Sequence, residues 1–323
     1  MIRITLYSKA NCSLCDQAIE DLSSLEDKYP HELLIVDIEE DDSLNEAYSG
    51  KVPVIEIGPY VMNAPFDRKK LAMTIGAAKD REAQLSDDPK FKKRKKRGAQ
   101  FSKTDRFTQW FSNHYTLVLN VLILLYVGLP FLAPIFMRAN LPVLARPIYS
   151  MYGAVCHQMA FRSWFLFGDQ PVYPRVAAQV DEYASYGETT GLDEGDIFAA
   201  RQYVGDSDVG YKVAYCQRDV AIYAAMLVFG LIFAISRRRI PALPWYLWVA
   251  IGIAPIGIDG FSQLLSQLPG FPLWEYREST PFLRSLTGAL FGFTTAWFGF
   301  PLIEESMRQT RETMAAKRQR LGK

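Results

Sequence analysis

Short apolar runs and one amphipathic stretch alternate over the first 80 residues of the chain. Brief runs rich in Ile, Val and Leu, bounded by turn-forming residues, are typical of β-strands, whereas apolar residues at helical spacing indicate an amphipathic helix. The predicted strands are residues 1–8, 31–38, 54–57 and 60–63, and a closing helix is predicted over residues 67–77. The pattern therefore predicts a small domain of mixed sheet and helices.

Much longer apolar stretches follow in the second half and predict helices that cross a membrane. A helix needs about 20 apolar residues to span the hydrocarbon core of a bilayer. The candidate spans are residues 116–136, 220–236, 241–258 and 285–303. Residues 147–167 are only half apolar, and we expect them to form an interfacial or re-entrant helix on the outer side of the membrane.

The overall composition of the chain is an average over two halves that differ in character. The 323 residues carry a net charge of +1 and a mean hydropathy of −0.02, and the length predicts about two domains. A charged linker with an aromatic interfacial anchor, residues 81–115, separates the N-terminal domain, residues 1–80, from the membrane domain, residues 116–306. Its basic run at residues 90–97 is expected to attract anionic lipid, because an apolar span follows almost at once. We therefore predict membrane lipid as a partner and no nucleic acid.

Basic residues set the expected orientation of the spans. Lys and Arg concentrate in the cytoplasmic loops of membrane proteins, and three basic clusters occur, at residues 90–97, 237–239 and 308–320. Four spans place all three clusters in the cytoplasm, with an external insert at residues 168–215 and a cytoplasmic tail at residues 307–323. We expect an integral protein of a bacterial inner or plasma membrane with both termini in the cytoplasm.

Two cysteines three positions apart carry the most specific chemistry of the N-terminal domain. Cys12 and Cys15 follow the first predicted strand and begin an amphipathic stretch. This places Cys12 at a helix N-terminus, where free N–H groups and partial positive charge favour the thiolate. We predict a redox-active dithiol in which Cys12 is the nucleophile and Cys15 resolves the mixed disulfide. Half of a zinc site is the alternative, for which His31 is the one further histidine or cysteine in the first hundred residues.

A proline before the third predicted strand strengthens the redox assignment. Pro53 follows Val52 and precedes that strand. The first strand, the Cys-x-x-Cys pair, the Val-Pro pair and the closing helix together resemble the small glutaredoxin-like proteins of the thioredoxin fold, in which a cis proline faces the dithiol. The resemblance covers about a quarter of the chain and implies catalytic roles for Cys12, Cys15 and Pro53. Residues 63–67 lack the Gly-Gly pair of glutathione-binding glutaredoxins, so glutathione is not an expected cofactor.

Polar residues gather at the outer ends of the predicted spans and on the expected interfacial helix at residues 147–167. Charged groups at membrane depth are costly and usually mark a polar interior or a functional site. Asp259 and Gln263 lie one helical turn apart and share a face of the third span. The candidate residues of one outward-facing pocket are Cys156, His157, Gln158, Arg162, Cys216, Arg218, Asp219, Asp259, Gln263, Arg277, Glu278 and Arg284.

The same residues carry a second resemblance. Over about residues 116–303 the chain resembles a family of bacterial integral membrane proteins of unassigned function. The motifs that carry the resemblance are Cys-His-Gln at 156–158, Cys-x-Arg-Asp at 216–219, Asp-Gly-x-x-Gln at 259–263 and Arg-Glu-Ser-Thr at 277–280. The family implies a membrane domain and no particular reaction.

Three interpretations of the outward pocket remain open. Cys156 and Cys216 form a disulfide in an oxidising exterior. Alternatively, both cysteines bind a zinc ion together with His157 and a carboxylate from Asp219 or Asp259. In the third interpretation the charged residues are ion pairs that hold the bundle together, and the cysteines are small packing residues.

The expected fold class is an α/β thioredoxin-like domain followed by an all-α transmembrane bundle of about four spans. The favoured function is a membrane-anchored thiol–disulfide oxidoreductase that acts on an unknown thiol or disulfide partner. The alternatives are a zinc-dependent membrane enzyme, such as a hydrolase, with a regulatory dithiol domain, and a transporter or binding module. Direct exchange between the two cysteine pairs is not expected, because about 30 Å of hydrocarbon separates the two faces of the membrane.

Overall fold

A four-stranded mixed sheet organises the N-terminal part of the chain in the computed structural model, which describes residues 2–98, 100–268 and 275–321. Its strands are β1 (Ile2–Ser8), β2 (His31–Asp37), β3 (Val54–Ile57) and β4 (Tyr60–Asn63). The order is β2-β1-β3-β4, with β1 parallel to β2 and antiparallel to β3. The accompanying helices are α1 (Ser13–Ser23), α2 (Asp42–Tyr48) and α3 (Arg68–Leu85). This arrangement confirms the predicted thioredoxin-like fold.

Strand β1 is buried on both faces, as expected of a central strand. Ile4 and Leu6 point to one face, where they pack in a cluster with Leu22 of α1. Tyr7 points to the other face and packs in a second cluster with Val54 of β3. The alternation of side chains along a strand therefore divides the core of this domain into two layers, one on each side of the sheet.

The segment predicted as a charged linker is largely helical. Helix α3 continues to Leu85, beyond the predicted end at residue 77, and is followed by α4 (Pro89–Gly98). Helix α5 (Lys103–Arg138) then begins well before the apolar stretch that predicts the first span. The physical reason is that Ala, Lys, Arg, Gln and Glu are strong helix formers. A polar segment without hydrophobic periodicity can therefore still be helical.

The C-terminal tail belongs to the same compact unit as the thioredoxin-like domain. The chain divides into an N-terminal unit, Met1–His114 with Glu305–Lys323, and a membrane unit, Tyr115–Glu304. Ala315 and Ala316, near the end of the last helix, are buried in the cluster that contains Tyr7. The predicted basic tail is therefore a helical end with a small apolar face.

Four helices in the described part of the chain are long and apolar enough to cross a membrane, and each overlaps a predicted span. They are α5, α9 (Gln217–Ile235), the helix Trp245–Ser266, and α12 (Pro281–Arg320). The third comprises α10 (Trp245–Leu247), a π-helical segment (Trp248–Ile253) and α11 (Ala254–Ser266). The predicted membrane domain of four spans is thus matched by four apolar helices.

Residues 139–216 connect α5 to α9, and this inter-span segment differs most from expectation. The helix predicted over residues 147–167 ends early, because α6 (Pro142–Gly153) gives way to a turn. Gln158 in this turn has a positive φ of 53°, which is incompatible with a continuing helix. Cys156 and His157 therefore lie in the turn rather than on a helix.

The inter-span segment also contains a small antiparallel sheet. Its order is β5-β7-β6, and two short helices lie between β5 and β6. The elements are β5 (Ser163–Leu166), α7 (Tyr186–Thr190), α8 (Ile197–Gln202), β6 (Gly205–Asp206) and β7 (Gly210–Cys216). The sequence pattern does not predict this sheet, because β6 has only two residues and β5 falls inside the stretch that was expected to be helical. Phe161, Phe165 and Tyr186 form the centre of its buried cluster.

Glycines allow the spans to approach one another closely at defined points. A β-carbon at Gly292 of α12 would lie 2.0 Å from the backbone oxygen of Ile222 in α9. A β-carbon at Gly230 of α9 would lie 2.0 Å from Oδ1 of Asn120 in α5. At Gly299, by contrast, it would meet nothing within 4 Å. Small residues at helix contacts are a common feature of membrane bundles.

We expect Gly292→Ala to lower the stability of the membrane unit by about 1 to 3 kcal/mol, because the added methyl group overpacks against rigid backbone. Gly299→Ala lies in the same helix and serves as the matched control, for which no loss of stability is expected because Ala favours the helix over Gly. Thermal unfolding of the full-length protein in detergent measures the difference. Equal melting temperatures for the two variants would contradict the close contact between α9 and α12.

Candidate functional sites

Cys12 and Cys15 lie at the junction of β1 and α1. Before them, Asn11 adopts a left-handed φ of 56°, which asparagine tolerates better than most residues. Cys12 is the N-cap of α1, and the N–H of Cys15 donates to Cys12 Sγ at 3.2 Å. The local backbone thus directs a hydrogen-bond donor at the sulfur that is predicted to act as the thiolate.

The two sulfurs of this pair differ in accessibility. Cys15 is 1% exposed, whereas Cys12 is partly exposed. A disulfide joins them in the structure. The side chain of Cys12 is therefore accessible from solvent, whereas that of Cys15 lies inside the domain.

Pro53 lies at the same end of the sheet as the dithiol. The strand register places Val54 opposite Tyr7, near the end of β1 that leads to Cys12. Pro53 is buried, and the peptide bond before it is cis. The register thus places Pro53, the predicted catalytic proline, at the edge of the sheet that carries the dithiol, as the resemblance implied.

His31 lies too far away to complete a zinc site with the dithiol. It pairs with Ile2 at the start of β1, whereas Cys12 follows the other end of that strand. A strand of this length separates its two ends by about 20 Å. The alternative interpretation, in which Cys12 and Cys15 form half of a zinc site with His31, does not fit this geometry.

In the membrane unit, Asp259 is the centre of one ion-pair network. Its carboxylate is nearly buried and accepts a hydrogen bond from Arg277 at 3.0 Å, one from Ser279 Oγ at 2.8 Å, and a further one from Arg218. Gln263, one turn along α11, is also buried, and its amide lies 3.4 Å from the backbone oxygen of Asp259. Four of the predicted pocket residues therefore lie together.

Glu278 is the centre of a second network. Its Oε1 accepts hydrogen bonds from Arg162, at 2.8 Å, and from Arg284, while Oε2 lies 3.6 Å from Nη1 of Arg175. The guanidinium of Arg175 also lies over the ring of Phe161, 3.9 Å from its centroid. Sequence reasoning missed Arg175, because no motif distinguishes it from other arginines in the inter-span segment.

The two networks are electrostatically joined, since Arg284 lies within range of both Arg162 and Arg218. Two buried carboxylates thus face five guanidinium groups contributed by the inter-span segment, α9 and the chain around the start of α12. This arrangement agrees with the interpretation of the charged residues as ion pairs. It does not include the two cysteines.

Cys156, Cys216 and Asp219 form a separate cluster. Cys216 ends β7 and caps α9, Asp219 lies in the first turn of α9, and Cys156 lies in the turn after α6. One ligand atom from each lies within 4.8 Å of the other two, and Cys216 Sγ donates to Asp219 Oδ2 at 2.9 Å. Both cysteines are free thiols in the structure. His157 is exposed and Asp259 is engaged by arginines, so neither belongs to this group.

The contact between the two thiols separates their pKa values. The neighbouring Cys216 thiol lowers the pKa of Cys156 below its ordinary value, although burial opposes this shift. The contact with Cys156, together with burial, raises the pKa of Cys216. Cys156 is therefore the more acidic of the two thiols, while the Cys216 proton is directed at Asp219.

Gln158 holds the turn after α6 against β7. Its side-chain amide donates to the backbone oxygen of Ala214 at 2.8 Å, and its own backbone oxygen accepts from Lys212 Nζ at 2.8 Å. Lys212 also donates to the backbone oxygen of Arg201 at 2.6 Å, and burial lowers the pKa of Lys212 to about 7. Gln158 is thus a positioning residue. Lys212 was not predicted as a site residue. The one feature of the sequence that could have indicated it is the position of a single lysine inside an otherwise apolar run.

Comparisons with known proteins divide the chain in the same way as the structure. Residues 3–76 match a family described as "Glutaredoxin-like domain (DUF836)". Residues 209–298 match a family described as "Predicted membrane protein (DUF2085)". The second match includes Cys216, Asp219, Asp259 and Glu278, and it begins after Cys156.

Two individual proteins show similarity to the chain. An uncharacterised protein of Methanocaldococcus jannaschii is 26% identical over 201 residues, which cover 59% of this chain and 94% of that protein. The X-ray structure of a structural genomics target protein from X. campestris is 34% identical and covers 23% of this chain and 96% of that one, with a TM-score of 0.21. The two family matches show a chain with a glutaredoxin-like domain at residues 3–76 and a domain similar to the DUF2085 predicted membrane proteins at residues 209–298.

Proposed function

We propose that this protein is a membrane-anchored thiol–disulfide oxidoreductase whose active dithiol is Cys12 and Cys15. The observation that carries the proposal is the placement of a partly exposed Cys12 at the N-cap of α1, with the buried Cys15 bonded to it. The helix N-terminus and the N–H of Cys15 favour negative charge on Cys12. The match of residues 3–76 to glutaredoxin-like domains supports a redox role.

The proposed reaction is a two-step thiol–disulfide exchange. The Cys12 thiolate attacks a disulfide of the partner, one partner sulfur leaves as a thiolate and takes up a proton, and a mixed disulfide forms. Cys15, as a thiolate, then attacks Cys12 Sγ and releases the second partner thiol. The partner gains two electrons and two protons, and the dithiol becomes the disulfide. Because residues 63–67 lack a Gly-Gly pair, we propose a partner other than glutathione.

We expect Cys15→Ser to accumulate mixed disulfides with partner proteins, because the resolving thiol is absent. Cys12→Ser is the matched control and should trap none through the dithiol, since Cys15 is buried; the free thiols Cys156 and Cys216 are present in both variants. Electrophoresis of the full-length variants without reductant, after rapid alkylation, measures the trapped species. Equal trapping by both variants, or a wild-type pair that never oxidises across a dithiothreitol redox titration, would refute the redox assignment.

We further propose that both termini lie in the cytoplasm of a bacterial cell. The even number of apolar helices among the residues that the structure describes and the distribution of basic clusters support this orientation. The packing of Ala315 and Ala316 in the N-terminal unit adds support, because it requires the tail and the dithiol domain to occupy the same side of the membrane.

Single cysteines at the exposed positions Ser102, Ser207 and Gln309 test the orientation in a cysteine-free background. An impermeant maleimide applied to intact spheroplasts is expected to label only position 207, which lies in the inter-span segment. Permeabilised cells provide the control for reactivity and should be labelled at all three positions. Labelling of 102 and 309 but not 207 in intact spheroplasts would invert the proposed topology.

A second candidate function, anion binding, is favoured by the charge balance around Asp259 and Glu278. Five guanidinium groups contact these two carboxylates, and even with the nearby exposed Glu275 the positive charges remain in excess. Arg175 Nε and Arg218 Nε are buried without a hydrogen-bond partner. A cavity of about 550 Å³ adjoins Arg277. Unbalanced buried positive charge is costly, and a phosphate group offers the oxygens that guanidinium prefers.

Inorganic phosphate is expected to raise the melting temperature of the full-length protein relative to chloride at equal ionic strength, since a ligand that binds the native state stabilises it. Arg277→Gln should abolish this rise, while Asp259 keeps its contacts with Arg218 and Ser279. Arg146→Gln, on the exposed side of α6, is the control and should preserve it. Identical responses of all three proteins would exclude this candidate. A rise only in phosphatidylglycerol bilayers would identify the phosphate as that of a lipid headgroup.

A further inference from the structure

We infer that Cys156, Cys216 and Asp219 form a site for a transition-metal ion such as zinc, with one coordination position left open. Nothing in the redox chemistry of Cys12 and Cys15 requires this site. It uses separate residues of the membrane unit, brought together across sixty positions of sequence by the fold.

The spacing of the three donor atoms suits a metal ion. Zinc binds thiolate sulfur at about 2.3 Å and carboxylate oxygen at about 2.1 Å, so tetrahedral ligand atoms are separated by about 3.4 to 3.8 Å. Here the three atoms already lie within 4.8 Å of one another, and Cys216 Sγ is 2.9 Å from the carboxylate. Small side-chain rotations are sufficient to surround an ion.

The local scaffold holds these ligands in place. Cys216 and Asp219 are three residues apart at the start of α9, so one helical turn fixes their separation. Cys156 is held in a different way. The side chain of Gln158 donates a hydrogen bond to the backbone of β7 and so fixes the turn after α6 that contains Cys156. Tyr152 and Tyr215 are buried in the same cluster as Cys156 and cover it from water. A site built on such rigid elements is preorganised for its ligand.

The donor set separates a metal site from a simple disulfide. A disulfide between the two cysteines would consume the thiol proton that Cys216 donates to Asp219 and would leave that carboxylate without this partner. A metal ion instead binds all three groups at once and offsets most of their negative charge. Two sulfurs and one oxygen favour zinc over magnesium or calcium, which prefer oxygen alone. Three protein ligands with an open fourth position are the pattern of a catalytic rather than a structural zinc site.

The metal content of the full-length protein tests this inference in a Cys12→Ser, Cys15→Ser background, where the dithiol cannot contribute. We expect about one zinc ion per chain after dialysis. Cys216→Ser should lose the ion, and Asp219→Asn should weaken its binding by about tenfold or more. His157→Ala, next to Cys156 but exposed, is the matched control and should retain the ion. Cobalt loading should produce sulfur-to-cobalt charge-transfer absorption in the background and control proteins.

Alkylation of the unmutated ligands provides a second measurement that does not depend on variant folding. Cys156 and Cys216 should resist maleimide until a chelator is added, and then react together. Freely reactive thiols in a metal-free protein would overturn the inference. Recovery of the two cysteines as one cross-linked peptide would also overturn it and would identify a disulfide. Because the dithiol is absent, neither result bears on the redox function of Cys12 and Cys15.

Discussion

Neutralisation of buried charge is the constraint on which the membrane unit depends. An isolated carboxylate removed from water loses several kcal/mol of solvation, and only well-placed positive groups recover it. Asp259 and Glu278 satisfy this requirement with arginines from distant parts of the chain, among them Arg162 before β5 and Arg218 in α9. The inter-span segment, α9, α11 and α12 must therefore all be in place before both acids are neutralised. The ion pairs thus specify how the inter-span segment packs on the ends of the helices.

The two cysteine pairs illustrate two ways of bringing sulfur atoms together. Cys12 and Cys15 meet because one helical turn follows a strand, so the separation of their sulfurs is local and survives changes elsewhere in the chain. Cys156 and Cys216 meet only because a turn, a strand and a helix start converge. The disulfide of the first pair can therefore break and form with little change elsewhere. The contact between Cys156 and Cys216, in contrast, depends on the packing of the turn, the strand and the helix start.

Sequence patterns predicted the parts of this structure that are local or strongly periodic. The Cys-x-x-Cys turn, strands β3 and β4 and the four apolar helices all leave such signals, and their positions agree with the structure. The small sheet leaves almost none, because β6 has only two residues. The division of the polar residues into two ion-pair networks and one thiol cluster could not be predicted from the sequence either. It depends on which arginine reaches which carboxylate, as Arg175 and Glu278 show, and pairing at a separation of a hundred residues is a property of the fold.

The burial of Ala315 and Ala316 against the thioredoxin-like core has a consequence for biosynthesis. The ribosome synthesises the strands of this domain long before α12, yet one face of the domain core, around Tyr7 and Val54, is covered by Ala315 and Ala316 of that helix. That face stays open to water while the four apolar helices are synthesised and inserted. The core of the dithiol domain is therefore complete only once α12 has been synthesised and its Ala315 and Ala316 have reached this face, which couples the folding of the domain to the placement of that helix.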